Sequence, residues 1–107
     1  MTELVNRIEE NAEKEFGRFR SDELLKDKEA IFYDSHKIAF YAEIHAFLTE
    51  GDTMSVFDEN EIRLISEEGD RFITLLYDYY LDTEYASISN WEAVSDLIRW
   101  YCAKYGD

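Results

Sequence analysis

The chain of 107 residues has no proline and only four glycines. Without proline the strongest helix breaker is gone, which agrees with a mostly helical chain. Cysteine is nearly absent as well: Cys102 stands alone, so no intramolecular disulfide can form. It sits among Ile98, Trp100, Tyr101 and Ala103 with no histidine or basic cluster nearby, the setting of a core thiol rather than a reactive one. Long apolar runs are missing too. The longest uninterrupted one covers residues 38–42, far short of a membrane span, and the first residues lack a basic region followed by an apolar stretch. Neither a transmembrane helix nor a signal peptide is expected, and the expected location is cytoplasmic.

Basic residues are the last scarcity. Eleven Lys and Arg face 25 Asp and Glu, a formal net charge of −14. The excess is uneven: residues 1–20 hold five acids and four bases, whereas residues 50–84 hold eleven acids against Arg63 and Arg71 alone. The middle of the chain should therefore carry the most negative surface. Direct binding to nucleic acid or to an anionic membrane is disfavoured, since both require basic surface.

Hydrophobic residues make up 46% of the chain and aromatics 16%, too rich for an acidic disordered tail and sufficient for one domain spanning residues 1–107. The stretch that organises it is residues 30–48, AIFYDSHKIAFYAEIHAFL, whose apolar positions point in nearly every direction on a helical wheel. A helix of that kind is buried on most sides. The expected fold is all-α: an irregular bundle of five or six helices around a central buried helix at about residues 28–49, ended by Gly51.

A first helix is expected over residues 3–20, with Leu4, Val5, Ile8, Ala12, Phe16 and Phe19 on its apolar side. Gly17 reads as a close crossing or an early helix end, and Ser21, Asp22 and Glu23 as a new helix start. Asp58-Glu59-Asn60-Glu61 fits a capping box, and a break is expected at Gly69. Residues 71–81 are apolar enough to pack on the central helix. Residues 83–89 form a linker, and Ser89-Asn90-Trp91-Glu92 reads as a second capping box opening the last helix.

Chemistry-bearing patterns are few. His36 and His45, nine residues apart, fall on opposite sides of a helix and cannot share a metal; buried pairs of His36 with Glu43, and of His45 with Asp34 or Tyr41, are the structural expectation. The acids around residues 50–61 fail the EF-hand pattern of alternating ligands and central glycine. No phosphate loop, nucleophile elbow or paired-cysteine motif occurs, so no enzyme, cofactor or metal site is expected.

The runs LLKDKEAI (residues 24–31), SHKIAFYAEI (residues 35–44) and FITLLYDYYL (residues 72–81) resemble an uncharacterised family of small helical proteins from Firmicutes and their mobile elements. That resemblance implies no activity and no site residues, and it suggests a phage, plasmid or conjugative-element context.

The leading expectation is a small acidic inhibitor that occupies a basic, nucleic-acid-binding surface on a protein partner, a nucleic-acid mimic of which anti-CRISPR proteins are one kind. Glu50, Asp52, Asp58, Glu59, Glu61, Glu67, Glu68 and Asp70 are the expected phosphate substitutes. The alternative is an interaction module such as an antitoxin, immunity protein or adaptor, using Tyr and Trp anchors, Tyr77 and Tyr85 among them, with an acidic rim. A third reading leaves the acids to solubility alone, with no basic partner.

Overall fold

The computed structural model describes residues 2–50, 53–83 and 87–106. Among them are six α-helices and no strand: α1 (Thr2–Leu24), α2 (Lys28–Tyr33), α3 (Ser35–Thr49), α4 (Glu59–Glu67), α5 (Phe72–Asp82) and α6 (Trp91–Tyr105), with 3-10 turns at Thr53–Val56 and Gly69–Arg71. This is the all-α bundle that the sequence implies.

The central helix is α3. It buries Phe40, Tyr41, Ile44, Phe47 and Leu48, and α1, α5 and α6 pack around it. Those neighbours supply Ile8 and Ala12 from α1, Ile73 and Leu76 from α5, and Val94, Leu97 and Ile98 from α6. What α3 leaves exposed is a narrow strip of Ser35, His36, Ala39 and Ala42. Small side chains on that strip explain why the sequence shows no broad polar face there.

Three boundaries differ from the expectation. The first helix runs to Leu24, and Ser21, Asp22 and Glu23 continue it. A Cβ at Gly17 would meet nothing within 4 Å, so the glycine marks neither a close crossing nor an end. The stretch 28–49 is divided at Asp34 (φ −87°, ψ 10°) into the short α2 and the central α3. Lys26 Nζ donates to Asp34 Oδ2 at 2.6 Å and to Glu23 Oε1 at 2.8 Å, which draws the start of α3 back against the end of α1. The last helix is capped by Asn90 rather than Ser89: Ala93 N–H donates to Asn90 Oδ1 at 2.8 Å, and Ser89 instead pairs with Ser87.

Other local signals stand as read. Asp58 accepts from Glu61 N–H at 2.8 Å while Glu61 Oε1 accepts from Asp58 N–H at 2.9 Å, a complete capping box on α4. That helix stops where Gly69 takes φ +65°, the left-handed conformation that releases the chain into the turn before α5.

The start of α5 has no side-chain cap of its own, Arg71 making no such bond. Its cap comes from α1. Glu15, 2% exposed, accepts from Ile73 N–H, from Thr74 N–H and from the Thr74 hydroxyl, each at 2.7 Å. Two of the four orphan donors of a helix start are thereby satisfied by a carboxylate 58 or more residues away in sequence. Burial pushes the Glu15 pKa up, outweighing the bonds from Thr74 and Ile73 and the charge of Arg18 that pull it down. Tyr41 on α3 shares the node, its hydroxyl 2.8 Å from Thr74 Oγ1 and its ring stacked on Phe19 with centroids 4.0 Å apart.

Two predictions follow from the backbone and from this node. Gly17→Ala should stabilise the fold by about 0.5–1 kcal/mol, because the site is helical and open, whereas Gly69→Ala should cost about 1 kcal/mol through its positive φ alone; urea unfolding of both variants reads the opposite signs. Glu15→Ala leaves buried N–H groups unpaired and should cost about 3 kcal/mol, more than the roughly 1 kcal/mol lost on removing the exposed Asp58 cap.

Candidate partner-binding surface

The acidic segment is built on α4, whose apolar side inserts Ile62 and Ile65 into the core. Its outer side faces α6 across a groove of about 570 Å³. Asp58, Glu61, Arg63, Leu64 and Glu67 form one wall, and Arg99, Cys102, Ala103 and Tyr105 form the other. Three of the expected phosphate substitutes, Asp58, Glu61 and Glu67, therefore share one feature of the surface.

The remaining nominated acids are distributed around it. Glu59 is exposed on α4 and accepts from Arg63 Nη2 at 2.8 Å, one turn on. Glu68 caps the end of α4. Asp70 is turned towards α1, where Arg18 donates to its Oδ2 at 3.2 Å and to its backbone oxygen at 2.8 Å. Glu50 is exposed just past the end of α3. Asp52 and Tyr85 lie outside the described residues. Tyr77 is half-buried, its ring centroid 5.0 Å from Phe40 and 5.9 Å from Tyr41, so much of its area is already spent inside the fold.

Counter-charges are present in the groove. Arg99 Nη2 donates to the Val56 carbonyl at 2.6 Å, and its guanidinium lies 5.9 Å from the Phe57 ring centroid. It thus separates the acidic groove from a neighbouring apolar depression of about 360 Å³, walled by Phe47, Val56 and Trp91. Trp91 is oriented by its indole N–H, which donates to Glu43 Oε1 at 2.8 Å. Sequence reasoning missed this depression, because Trp91 and Val56 are brought together only by the packing of α6 on the turn at Thr53–Val56.

His45 finds its partners across helices rather than along its own. His45 Nε2 lies 2.8 Å from Glu13 Oε1, and the ring stacks on Phe16 at 4.4 Å. His36 is exposed, and Glu43 serves Trp91. Among the described residues no three His, Cys, Asp or Glu converge as a metal site, and no helix is long and apolar enough to cross a membrane.

Cys102, in the α6 wall of the groove, is buried. Burial pushes its thiol pKa up to about 12, and the charges of Glu61, Asp58 and Glu68 add to the rise. The same causes, burial first and then Glu68, raise Tyr101 to about 12. The negative field of α4 therefore reaches through to α6. Alkylation of Cys102 by iodoacetamide near neutral pH should be more than about a hundredfold slower in the folded protein than in urea, as mass spectrometry of the labelled chain would show. Set beside known proteins, the chain matches no protein-family model, no curated protein and no solved structure.

Proposed function

We propose that the protein is a small binding protein that covers a basic surface on another protein, with α4 and its flanks forming the contact and their carboxylates standing in for nucleic-acid phosphates. The observation that carries this reading is the separation of charge in the fold. Residues 18–37 hold five acids and five bases, so the whole −14 belongs to the rest of the chain. On the segment from α4 to the end of α5, Asp58, Glu59, Glu67, Asp78 and Asp82 are exposed against Arg63 and Arg71. Arg63 is itself neutralised by Glu59.

The geometry of α4 supports the mimic form. Asp58 and Glu67 stand at its two ends, about 14 Å apart along the axis at the helical rise. A duplex presents one charge per ~1.7 Å of axis, a denser array than the four carboxylates of residues 58–67, so α4 would fill part of a channel lined by Lys and Arg and its acidic flanks the rest. With the resemblance noted above, this reading belongs with inhibitors made by phages and mobile elements, of the anti-CRISPR or another anti-defence kind.

One observation favours a second reading, a non-mimic module such as an antitoxin, immunity protein or adaptor. The depression at Trp91 and Val56 offers an apolar anchor beside the acidic groove. The two readings separate in one experiment: affinity capture from a host lysate at low and at high salt, with duplex DNA or RNA added as competitor. The mimic reading expects a captured partner that is released by salt and by nucleic acid. It also expects Glu59→Gln/Glu67→Gln/Glu68→Gln to lose at least about tenfold in affinity while Trp91→Ala loses less. Binding indifferent to salt, or formed alongside bound nucleic acid, overturns it, and the reverse ranking of the variants selects the anchored module.

A further inference from the structure

Helix α6 carries a stripe of residues at four-residue steps, Trp91, Ser95, Arg99 and Ala103, and all four line the acidic groove or the apolar depression beside it. Residues four apart share a helix face, so the stripe is a track about 18 Å long. The two hollows meet at Arg99, which lines both. They are two ends of one furrow along α6.

The apolar end is rigidly built. Phe47, buried in the core, meets the rings of Trp91 and Phe57 edge to face, with centroids 5.9 and 6.0 Å away. The Trp91 indole is turned by its bond to Glu43, and Arg99 ties α6 to the Val56 carbonyl. Trp91 and Val56 nevertheless remain 38% and 46% exposed. The hollow between them, about 360 Å³, has room for one large side chain of another molecule.

Charge states what kind of molecule brings that side chain. At the Trp91 end, Glu43, Glu92 and Asp96 stand against Arg99, whose Nη1 is 3.9 Å from Asp96. At the other end, Asp58, Glu59, Glu61 and Glu67 stand against Arg63, which Glu59 binds at 2.8 Å, and against Lys104, which lies over the Tyr79 and Tyr105 rings. Each end thus has two more acids than bases after every one of these contacts is counted. Such a furrow favours an apolar side chain flanked by cations and rejects one flanked by carboxylates. A second copy, at −14, is the wrong occupant.

We propose that the furrow along α6 receives one peptide segment of a basic partner, with an aliphatic or aromatic side chain entering between Val56 and Trp91. Lys or Arg side chains of the same segment lie against Glu92 and, past Arg99, against Asp58, Glu61 and Glu67. This role rests on the reading of the protein as a cover for a basic surface, and it adds the anchor that fixes register. Carboxylates alone accept any cationic surface, whereas a filled apolar hollow selects one segment of it.

Two lysine-rich peptides of equal charge test the role, each about 15 residues long to span α6, one with a central Leu and the other with Ala in its place. In fluorescence anisotropy at low salt the Leu peptide should bind the protein at least about fivefold tighter than the Ala peptide. The indole N–H resonance of Trp91 should shift on binding, and that of Trp100, nine residues on and on the opposite side of α6, should not. Trp91→Ala and Val56→Ser should each erase the advantage of Leu, with unchanged helical circular dichroism and unchanged binding of the Ala peptide. Equal binding of the two peptides, released by salt, overturns the inference and leaves the basic-surface reading standing. No binding of either peptide at low salt overturns both, as does equal binding of a Leu peptide with Glu in place of every Lys. A dimer of the protein itself that Trp91→Ala dissolves, seen by sedimentation, overturns the inference alone.

Discussion

The fold depends on a carboxylate buried where the sequence marks only a helical repeat. Glu15 leaves α1 to accept three hydrogen bonds from the first turn of α5, and through Thr74 it is tied to Tyr41 on the central helix. An α5 without this contact would begin with unpaired N–H groups inside the protein, a cost comparable to a sizeable fraction of a small domain's stability. The bond therefore fixes the register of three helices at once. The negative charge also lies at the positive end of the α5 dipole, which lessens what burial takes away.

A second polar link shapes the opposite part of α1. Lys26 holds Glu23 and Asp34 together, and the helix that apolar patterning would carry unbroken through residues 28–49 is divided there. The carboxyl of Asp34 is held below the usual range, chiefly by its hydrogen bond from Lys26. The chain gains a corner instead of a longer rod, and Leu24, Leu25, Phe32 and Tyr33 are exposed beside it. Elsewhere in the bundle polar side chains also link separate elements: His45 to Glu13, Trp91 to Glu43, and Arg18 to Asp70 through two bonds.

Charge and apolar surface are thus sorted to different places. The α4 side carries carboxylates arranged along a short, well-capped helix, while the turn from α1 into α2 carries the exposed side chains of Leu24, Leu25, Phe32 and Tyr33. The groove between α4 and α6 is less acidic than the sequence implies, because Arg63 and Arg99 enter it from either wall.

Much of the architecture was legible in the residues. Absence of proline, the all-round apolar pattern of α3, the capping box at Asp58 and the stop at Gly69 are local signals, each written within a few positions of the chain, and each appears in the fold. The negative charge of the middle segment is likewise fixed by composition. Tertiary structure alone decided that Asp70 pairs with Arg18, that Tyr77 is packed against Phe40, and that Trp91 and Val56 share a depression. It also decided that Glu15, which looks like any surface acid of an amphipathic helix, is the cap of another helix. The physical reason is range. Caps, breaks and apolar periodicity act over three or four residues, whereas the partner of a buried carboxylate is whichever donor the packing brings to it, here 58 residues further along the chain.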